Sequence, residues 1–366
     1  MKKLLAIAVI FALVAGAVFA ETAISGSVEA RYRINGNSDG VPIRNTGRFE
    51  SGSIQLSGTD DEGVFGGTFK LAWTEGFVVH NVTYDAGGPG VNVDRNYRAI
   101  SALDRGFIWW QPIPELRIWM GRDGDGMFNT AGVTRWGFHQ MDRGISIENW
   151  DASNFLLGNW DVPGIAFIIT PIDGLAINAA LGTEWNELIE TTFSHRLQLQ
   201  AAYSADFGTI TATFQKRETT AGSGVDSSNV GLTFGSNSIL DGLDFVLGFS
   251  YNMRDGNQEA LRFAVGAEYR MDDFGVKFRM LMHPTQAFFW FYADIMPYYV
   301  IDGIGTILCN IRIEQRNDGI IGWHVNPYFR KRFGGSDLRI GARFENSGAS
   351  GAPTNWLVGM TMVFAF

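Results

Sequence analysis

The sequence predicts an all-β fold, a transmembrane antiparallel up-and-down β-barrel of about 18 strands, or about 16, with both termini on the periplasmic side. Three observations lead to this prediction. Apolar and polar residues alternate along many short segments, tight turns join these segments into hairpins, and the remaining connections are long.

Alternation is clearest in residues 193–204, which read FSHRLQLQAAYS. Apolar side chains occupy one parity, with His195 as the exception, and mostly polar side chains occupy the other. A period of two predicts a strand with one apolar and one polar face. Mean hydropathy is +0.00, a value that a soluble protein and a membrane barrel would share.

The same two-stranded unit recurs along the chain, each time around a short turn rich in Asp, Gly or Pro. Such units predict consecutive β-hairpins. The turns are residues 59–63, 111–115, 171–174, 205–208, 236–242, 271–275 and 333–337, with a further hairpin around 296–303.

Longer segments connect one hairpin to the next, at 35–46, 75–98 and 124–162. Short turns on one side and long connections on the other are typical of outer-membrane barrels. A β-propeller or β-helix is the alternative, but those folds place apolar side chains on both sheet faces or carry blade motifs. The strands are evenly spread, so residues 21–366 are predicted to form one barrel domain.

Residues 1–20 have the features of a signal peptide. Lys2 and Lys3 precede an apolar run from 4 to 16, and small residues end the segment at Ala20, where cleavage is predicted. An uncleaved membrane anchor is the alternative. The chain has one cysteine, Cys309, so no internal disulfide can form.

The segment FIWWQPIPELRIWMGR, residues 107–122, joins aromatic runs, a proline-containing turn and Arg117. Only a closed sheet can cross a bilayer as strands, because it leaves no unpaired edge. In such a barrel we expect Arg117 to point into a wet lumen, while Leu116, Ile118 and Met120 face lipid.

By parity, the strands send many basic side chains into the lumen and fewer acidic ones. They can form a basic pore wall, or they can pair and stack to hold the barrel rigid, and both readings stay open. The predicted acids are Glu29, Glu268, Glu314 and Glu345, and the predicted basic wall comprises Arg31, Arg33, Lys70, Arg117, Arg196, Arg262, Arg270, Lys277, Arg279, Arg312, Arg330, Arg332, Arg339 and Arg343.

Two further features concern the lumen. The connection 124–162 carries Asp125, Asp142, Glu148 and Asp151. If this connection folds inward, its acids face the basic wall across the pore. It can equally be a surface loop or an extra hairpin.

The segment 287–297 is apolar on both parities. A charge belongs in the lumen, so Asp294 orients it and predicts an inward aromatic stripe of Phe288, Trp290 and Tyr292, which can bind solutes or pack against a loop.

Catalytic and metal-binding patterns are weak. Residues 122–129 lack two of the acidic positions of a calcium loop, and the five histidines show no metal-type spacing. Ser194 and His195 point to opposite faces of their strand. We therefore expect no enzyme activity, metal, cofactor or nucleic-acid partner.

The chain ends NWLVGMTMVFAF, with Trp356, Phe364 and Phe366 on one parity. This end resembles the carboxy-terminal signal strand that the barrel assembly machinery of bacteria recognises. Length, connection asymmetry and strand number resemble a bacterial outer-membrane porin over residues 21–366. The WWQPIPELRIWMGR hairpin is similar to one in spirochaetal outer-membrane barrels.

The resemblance implies an outer-membrane location, with membrane lipids and the assembly machinery as partners and a homo-oligomer as a candidate assembly. It implies passive diffusion of small hydrophilic solutes, and the basic lumen predicts a preference for anions. Two alternatives stay open: a surface adhesin or antigen with a closed pore, and a transporter of hydrophobic solutes.

Overall fold

The computed structural model describes residues 21–39, 44–84, 91–94, 100–123, 164–185, 193–219, 227–254, 260–284, 289–315 and 319–366. These residues form nineteen antiparallel strands: β1 Glu21–Asn37, β2 Arg44–Thr59, β3 Phe65–Tyr84, β4 Val91–Asp94, β5 Ile100–Ile113, β6 Leu116–Asp123, β7 Gly164–Ile172, β8 Leu175–Trp185, β9 Phe193–Ala205, β10 Gly208–Thr219, β11 Ser227–Ser236, β12 Leu243–Arg254, β13 Ala260–Met271, β14 Phe274–Pro284, β15 Phe289–Ile301, β16 Gly305–Gln315, β17 Ile321–Phe333, β18 Ser336–Asn346 and β19 Asn355–Ala365. No helix within these ranges is long and apolar enough to cross a membrane.

Eighteen of these strands close into a barrel. Each pairs with its neighbours in the chain, and β1 pairs with both β2 and β19, which closes the sheet. The short β4 pairs only with the far end of β3, while β3 also pairs directly with β5, so β4 lies outside the closed ring. The predicted all-β barrel of about 18 strands is confirmed.

The two ends of the barrel differ in their connections. Turns of two residues, such as Asp272–Asp273 and Gly334–Gly335, lie at one end, here called the short-turn end. The described chain ends, Glu21 and Phe366, lie at this end too, because Glu21 is opposite Thr59 and Phe366 bonds to Gly26.

Three strands extend into segments that were predicted to be connections. β1 continues to Asn37, β3 continues to Tyr84, and β2 begins at Arg44. The extensions of β2 and β3 pair with each other, Arg44 opposite Thr83, with irregularities near Gly47 and Phe49. Each extension supplies hydrogen-bond partners for the other, an effect that a single segment's composition does not reveal.

The two faces of the barrel differ in polarity as the alternation predicts. On β9, Leu199 and Tyr203 are each 45% exposed, whereas Gln198 and Gln200 are only 2% and 3% exposed. Exposed apolar side chains continue around the outer face, and the buried polar side chains lie on the opposite, inner face. The inner wall therefore holds the candidate functional groups.

Aromatic side chains pack over glycines where the barrel closes. The Phe366 ring comes within 2.4 Å of the position that a Cβ on Gly26 would occupy, and the Trp356 ring within 2.7 Å of that position on Gly36. Gly26 and Phe366 also exchange two backbone hydrogen bonds, of 2.9 and 3.1 Å. We call this contact between β1 and β19 the seam.

Deleting Phe366 is expected to weaken the seam, because the deletion removes both backbone bonds and the ring over Gly26. The deletion variant should show reduced heat-modifiable mobility in electrophoresis and lower levels in the outer-membrane fraction. Normal levels of fully heat-modifiable protein would contradict this prediction and the predicted assembly role of Trp356, Phe364 and Phe366.

Gly36→Ala tests the seam at its other end. The added methyl group meets only the Trp356 ring among its near neighbours, so the variant should be less stable. Trp356→Ala combined with Gly36→Ala should be more stable than additivity of the two single changes predicts. Urea unfolding of the four proteins in lipid vesicles measures this coupling. Strict additivity would show that the ring and the glycine do not act as a pair.

Candidate functional site: the inner wall of the barrel

The inner wall has three sectors of different chemistry. The first, on β5 to β8, is apolar: Trp119, Ala166, Ile168 and Ala180 are buried together, with Phe107 and Trp109 packed against them. The sequence patterns predicted a wet lumen and did not predict inward tryptophans here. Trp119 shares the predicted inward parity of Arg117, so alternation gives its face, but the expectation of a wet lumen did not single it out.

Arg117 belongs to this apolar sector. Its guanidinium lies 4.6 Å from the centroid of the Trp109 ring and donates hydrogen bonds of 2.7 and 3.1 Å to the Gln111 side-chain oxygen. Gln111 in turn donates to the Pro114 carbonyl oxygen at 2.8 Å. Arg117 therefore stabilises the turn at Pro114–Glu115. These contacts explain why an arginine is present in an aromatic segment.

Among the described side chains of the second sector, on β8 to β12, most that point inward are polar and uncharged. Its buried side chains are amides and hydroxyls, and Gln215 donates a 2.8 Å hydrogen bond to Gln198 between β10 and β9. Arg196 is the buried basic residue of this sector. The buried amides and hydroxyls are Asn178, Gln198, Gln200, Thr211, Thr213, Gln215, Asn229, Thr233 and Ser250.

The third sector, on β13 to β19 and β1, carries most of the charge. Within it three buried carboxylates, Glu268, Asp294 and Asp337, are each shared by two basic side chains. Each acid therefore contacts two cations, and the three groups together hold six cations and three acids. We call this region the charged sector.

Asp294 is the most enclosed of the three acids, at 1% exposure. Arg279 from β14 donates to one carboxylate oxygen at 2.7 Å, and Arg312 from β16 donates to the other at 2.9 Å. Tyr292 completes the group: its hydroxyl accepts a 2.8 Å bond from Arg279, and its ring centroid lies 4.1 Å from the Arg312 guanidinium carbon. Three adjacent strands are thereby joined.

Glu268 accepts hydrogen bonds of 2.7 Å from Arg270 and from the Tyr298 hydroxyl, and it lies 3.6 Å from the Lys277 ammonium. The shared acids thus draw their cations from their own strand and from the neighbouring strands.

Asp337 accepts from Arg330 at 3.1 Å and from Arg339 at 2.8 Å. It was assigned to a turn on sequence, because it ends the stretch FGGSD. In the structure Asp337 is buried within β18, where its parity is inward.

Strand register sets basic side chains next to each other. Arg330 on β17 is directly opposite Arg339 on β18, and Thr361 separates Arg339 from Arg31 on β1. We call Arg330, Arg339 and Arg31 the arginine row. Its counter-charges come from the adjacent position on the strands, where Glu29 bonds Arg31 at 2.6 Å and Asp337 bonds the other two.

The predicted basic wall is therefore distributed over several places. The charged sector brings together Arg31, Arg33, Arg262, Arg270, Lys277, Arg279, Arg312, Arg330, Arg339 and Arg343, with Arg343 paired to Glu345, and Glu314 lies on its β16 strand. Arg332 is exposed at the short-turn end, Lys70 lies on β3, and Arg117 and Arg196 lie on the other two sectors.

The predicted aromatic stripe is described only in part. Tyr292 is inward and 2% exposed, and its ring lies beside the guanidiniums of Arg279 and Arg312. Trp290 lies on β15, but its side chain and the whole of Phe288 are outside the described residues, as are Asp125, Asp142, Glu148 and Asp151. A solute could stack on Tyr292 only after displacing a guanidinium.

A cavity of about 1060 Å³ adjoins the charged sector at the short-turn end. Tyr298, Met296 and Leu308 line its apolar part, and Arg330 and Arg339 are among its basic lining residues. Within the described ranges, no group of three or more His, Cys, Asp or Glu side chains is arranged to hold a metal ion.

A closed eighteen-strand antiparallel barrel with an apolar outer face and a polar inner wall is the fold of the outer-membrane porins. Pseudomonas aeruginosa OccK5 (OpdH) is similar with a TM-score of 0.56 and 9% identity, over 95% of this chain and 98% of that one. P. aeruginosa OpdK, solved with vanillate, is similar with a TM-score of 0.56 and 8% identity, over 95% of this chain and 100% of that one. Pseudomonas putida OprB at high pH is similar with a TM-score of 0.55 and 9% identity, over 94% of both chains.

At sequence identities of 8–9%, the structural similarity shows the fold alone. No protein-family model and no curated protein matches the sequence. The similarity to spirochaetal barrels is not tested by these structures and stays a prediction.

Asp294→Asn is expected to destabilise the barrel, because two buried arginines would lose their shared carboxylate. Breaking such a buried pair costs about 3–5 kcal/mol. Urea unfolding in lipid vesicles, followed by tryptophan fluorescence, measures the change. Asp302→Asn, at an exposed turn position, is the matched control and should unfold like the unchanged protein. Equal stability of both variants would show that the arginines do not depend on Asp294.

Proposed function

We propose that the protein is an outer-membrane porin through which small hydrophilic solutes diffuse passively, with a preference for anions. The observation that carries the proposal is the sharing of each of three buried carboxylates by two cations. In these three groups six cations contact three acids, so basic side chains outnumber acidic ones there. The porin fold supports the location and the channel class.

The excess positive charge acts on solutes because it is fixed. Asp294 and Asp337 each hold two guanidiniums by hydrogen bonds, and Glu268 holds that of Arg270, so these charges stay in place on the wall. Charge fixed on the wall of a narrow aqueous passage raises the local concentration of the opposite ion. The arginine row lies nearest to the short-turn end and would act on anions there.

Orientation and assembly belong to the same proposal. The short-turn end and both termini would face the periplasm, after export directed by residues 1–20 and insertion with the barrel assembly machinery. The acids Asp125, Asp142, Glu148 and Asp151 would face the basic wall from the connection 124–162. A channel role also implies no catalysis, metal or cofactor.

One observation favours a second candidate, a transporter of hydrophobic solutes. The apolar sector around Trp119 and Ile168 gives part of the inner wall little affinity for water. The adhesin alternative depends on long connections that lie largely outside the described residues. Bilayer recordings separate the porin from the two alternatives: regular open steps support the porin, and silence supports the alternatives.

Ion selectivity should change in one direction when a cation is removed and in the opposite direction when the acid that it shares is removed. Arg339→Gln removes a cation and should shift the permeability ratio toward cations. Asp337→Asn removes the shared acid and should shift the ratio toward anions. Reversal potentials in a salt gradient across a planar bilayer measure both shifts.

Lys216→Gln on β10 is the control, because Lys216 shares the outer-face parity of Ile210 and Ala212 and should leave selectivity unchanged. Replacing Arg330, Arg332, Arg339 and Arg343 together should give the largest shift toward cations. Cation selectivity in the unchanged protein would contradict the proposal.

A further inference from the structure

Acidic side chains surround the short-turn end of the barrel. Eight turns lie at this end, all of them within the described ranges, and none of them carries a Lys or Arg. Seven of the eight carry at least one exposed Asp or Glu, and the exception is Gly334–Gly335. We call the exposed acids of these seven turns the acidic rim, and the turns are residues 60–64, 114–115, 173–174, 206–207, 237–242, 272–273 and 302–304.

Basic side chains lie immediately inside the rim, on the charged sector. The cavity of about 1060 Å³ at this end is lined by both kinds of charge, six Lys or Arg residues and four Asp or Glu residues. Asp272 and Asp302 belong to the rim, whereas Glu29 and Glu268 each bond an arginine. We call the six basic lining residues the basic band: Arg270, Lys277, Arg330, Lys331, Arg332 and Arg339.

The sign of the wall charge changes over a short distance along the barrel axis. Arg330 precedes the turn residue Gly334 by four residues, which corresponds to roughly 13 Å of strand. Because the strands of such a barrel tilt by about 35–45°, the distance along the axis is roughly 10 Å. The mouth of the barrel therefore carries two opposite charges in series, the basic band inside and the acidic rim outside.

The two rim turns that line the cavity are held in place by neighbouring strands. The Asp273 carbonyl oxygen accepts a 2.8 Å hydrogen bond from the Val300 amide on β15. The Gly303 carbonyl oxygen accepts a 3.3 Å hydrogen bond from the Lys331 ammonium on β17. The acids on these turns, Asp272 and Asp302, therefore stay beside the basic band.

Salt decides how far these charges act. The Debye length is about 10 Å at 0.1 M salt and about 3 Å at 1 M. The axial distance between band and rim equals about one Debye length at 0.1 M and about three at 1 M. Ions in the mouth are therefore influenced by both charges at the lower salt concentration, whereas at the higher one the two charges are screened.

Two opposite fixed charges in series make conduction depend on the polarity of the voltage. Acidic groups concentrate cations, and basic groups concentrate anions. When the short-turn side is positive, cations enter past the acidic rim while anions arrive through the basic band, so both ions accumulate between them. The opposite polarity draws both ions away from this region and leaves fewer carriers there.

We infer that the barrel is a rectifying channel, which passes more current when the short-turn side is positive than when it is negative. The inference rests on the proposed channel function and adds a directional control of ion flow at the mouth of the same passage. The acidic rim and the basic band carry this control together.

Currents at equal voltages of opposite sign, across a planar bilayer in potassium chloride, test the inference. The ratio of the current with the short-turn side positive to that with it negative should exceed one at 0.1 M, and it should fall to about one at 1 M. Asn237→Cys in a Cys309→Ala background shows the orientation, because a bulky maleimide added to one chamber reacts only where this exposed turn residue faces it.

Removing rim charge should lower the ratio. Asp272→Asn combined with Asp302→Asn removes the two rim acids that line the cavity, so the ratio at 0.1 M should fall toward one. Asp39→Asn is the matched control, because Asp39 is an exposed acid at the opposite end of β1 and should leave the ratio unchanged. Heat-modifiable mobility verifies that each variant is folded.

Adding charge to the turn without an acid should raise the ratio. Gly334 has a φ of 56°, and no atom lies within 4 Å of the position that an added Cβ would occupy. Asp272 already adopts a φ of 51° in this chain, so an aspartate fits this conformation. Gly334→Asp should therefore increase rectification, whereas Gly334→Asn, which has the same shape and no charge, should not.

The outcomes are distinct. Equal currents at both polarities in 0.1 M salt, or a larger current with the short-turn side negative, overturn the inference. So does a ratio that changes as much in Asp39→Asn as in the double variant. If the double variant fails to fold, the Gly334 pair decides the matter, and equal ratios in Gly334→Asp and Gly334→Asn overturn the role of the rim. Failure to conduct potassium chloride contradicts the proposed function, whereas symmetric conduction contradicts only the rectification.

Discussion

In the charged sector of this barrel, each buried carboxylate meets its cations on its own strand or on an adjacent strand. The structure meets this constraint by placing one carboxylate between two cations, as at Asp294, where Arg279 and Arg312 approach different oxygens. The arrangement joins β14, β15 and β16 through side chains as well as through backbone bonds. Pairing that holds the barrel rigid was one of the two readings of the basic residues, and these contacts show such pairing in the charged sector.

The wall is also uneven around its circumference. Aromatic and small apolar residues fill one sector, amides and hydroxyls the next, and ion pairs the third. In an eighteen-strand ring, β8 is nine strands from β17, so part of the uncharged sector lies across from part of the charged one. A solute would therefore meet fixed charge on one side and neutral polar groups on the other.

Much of the fold could be predicted from the sequence, because alternation assigns a face to each residue on its own. Gln198 and Leu199 lie on the faces that parity gave them. Partners could not be predicted, because they depend on the register between strands. Asp337 was placed in a turn and is a buried shared acid, and Tyr292 has an arginine beside its ring. Trp119 shares the inward parity of Arg117 but was not named as an inward residue, since the lumen was expected to be lined by polar side chains.

The seam has a consequence for the width of the barrel. Phe366 and Trp356 are ten residues apart, and so are Gly26 and Gly36, so both rings reach a glycine in the same register. A slip of two residues would move both rings onto positions that carry side chains. The closing register fixes the shear of the sheet, and shear together with strand number fixes strand tilt and radius. Gly26 and Gly36 on β1 thus help to determine the diameter of the whole barrel.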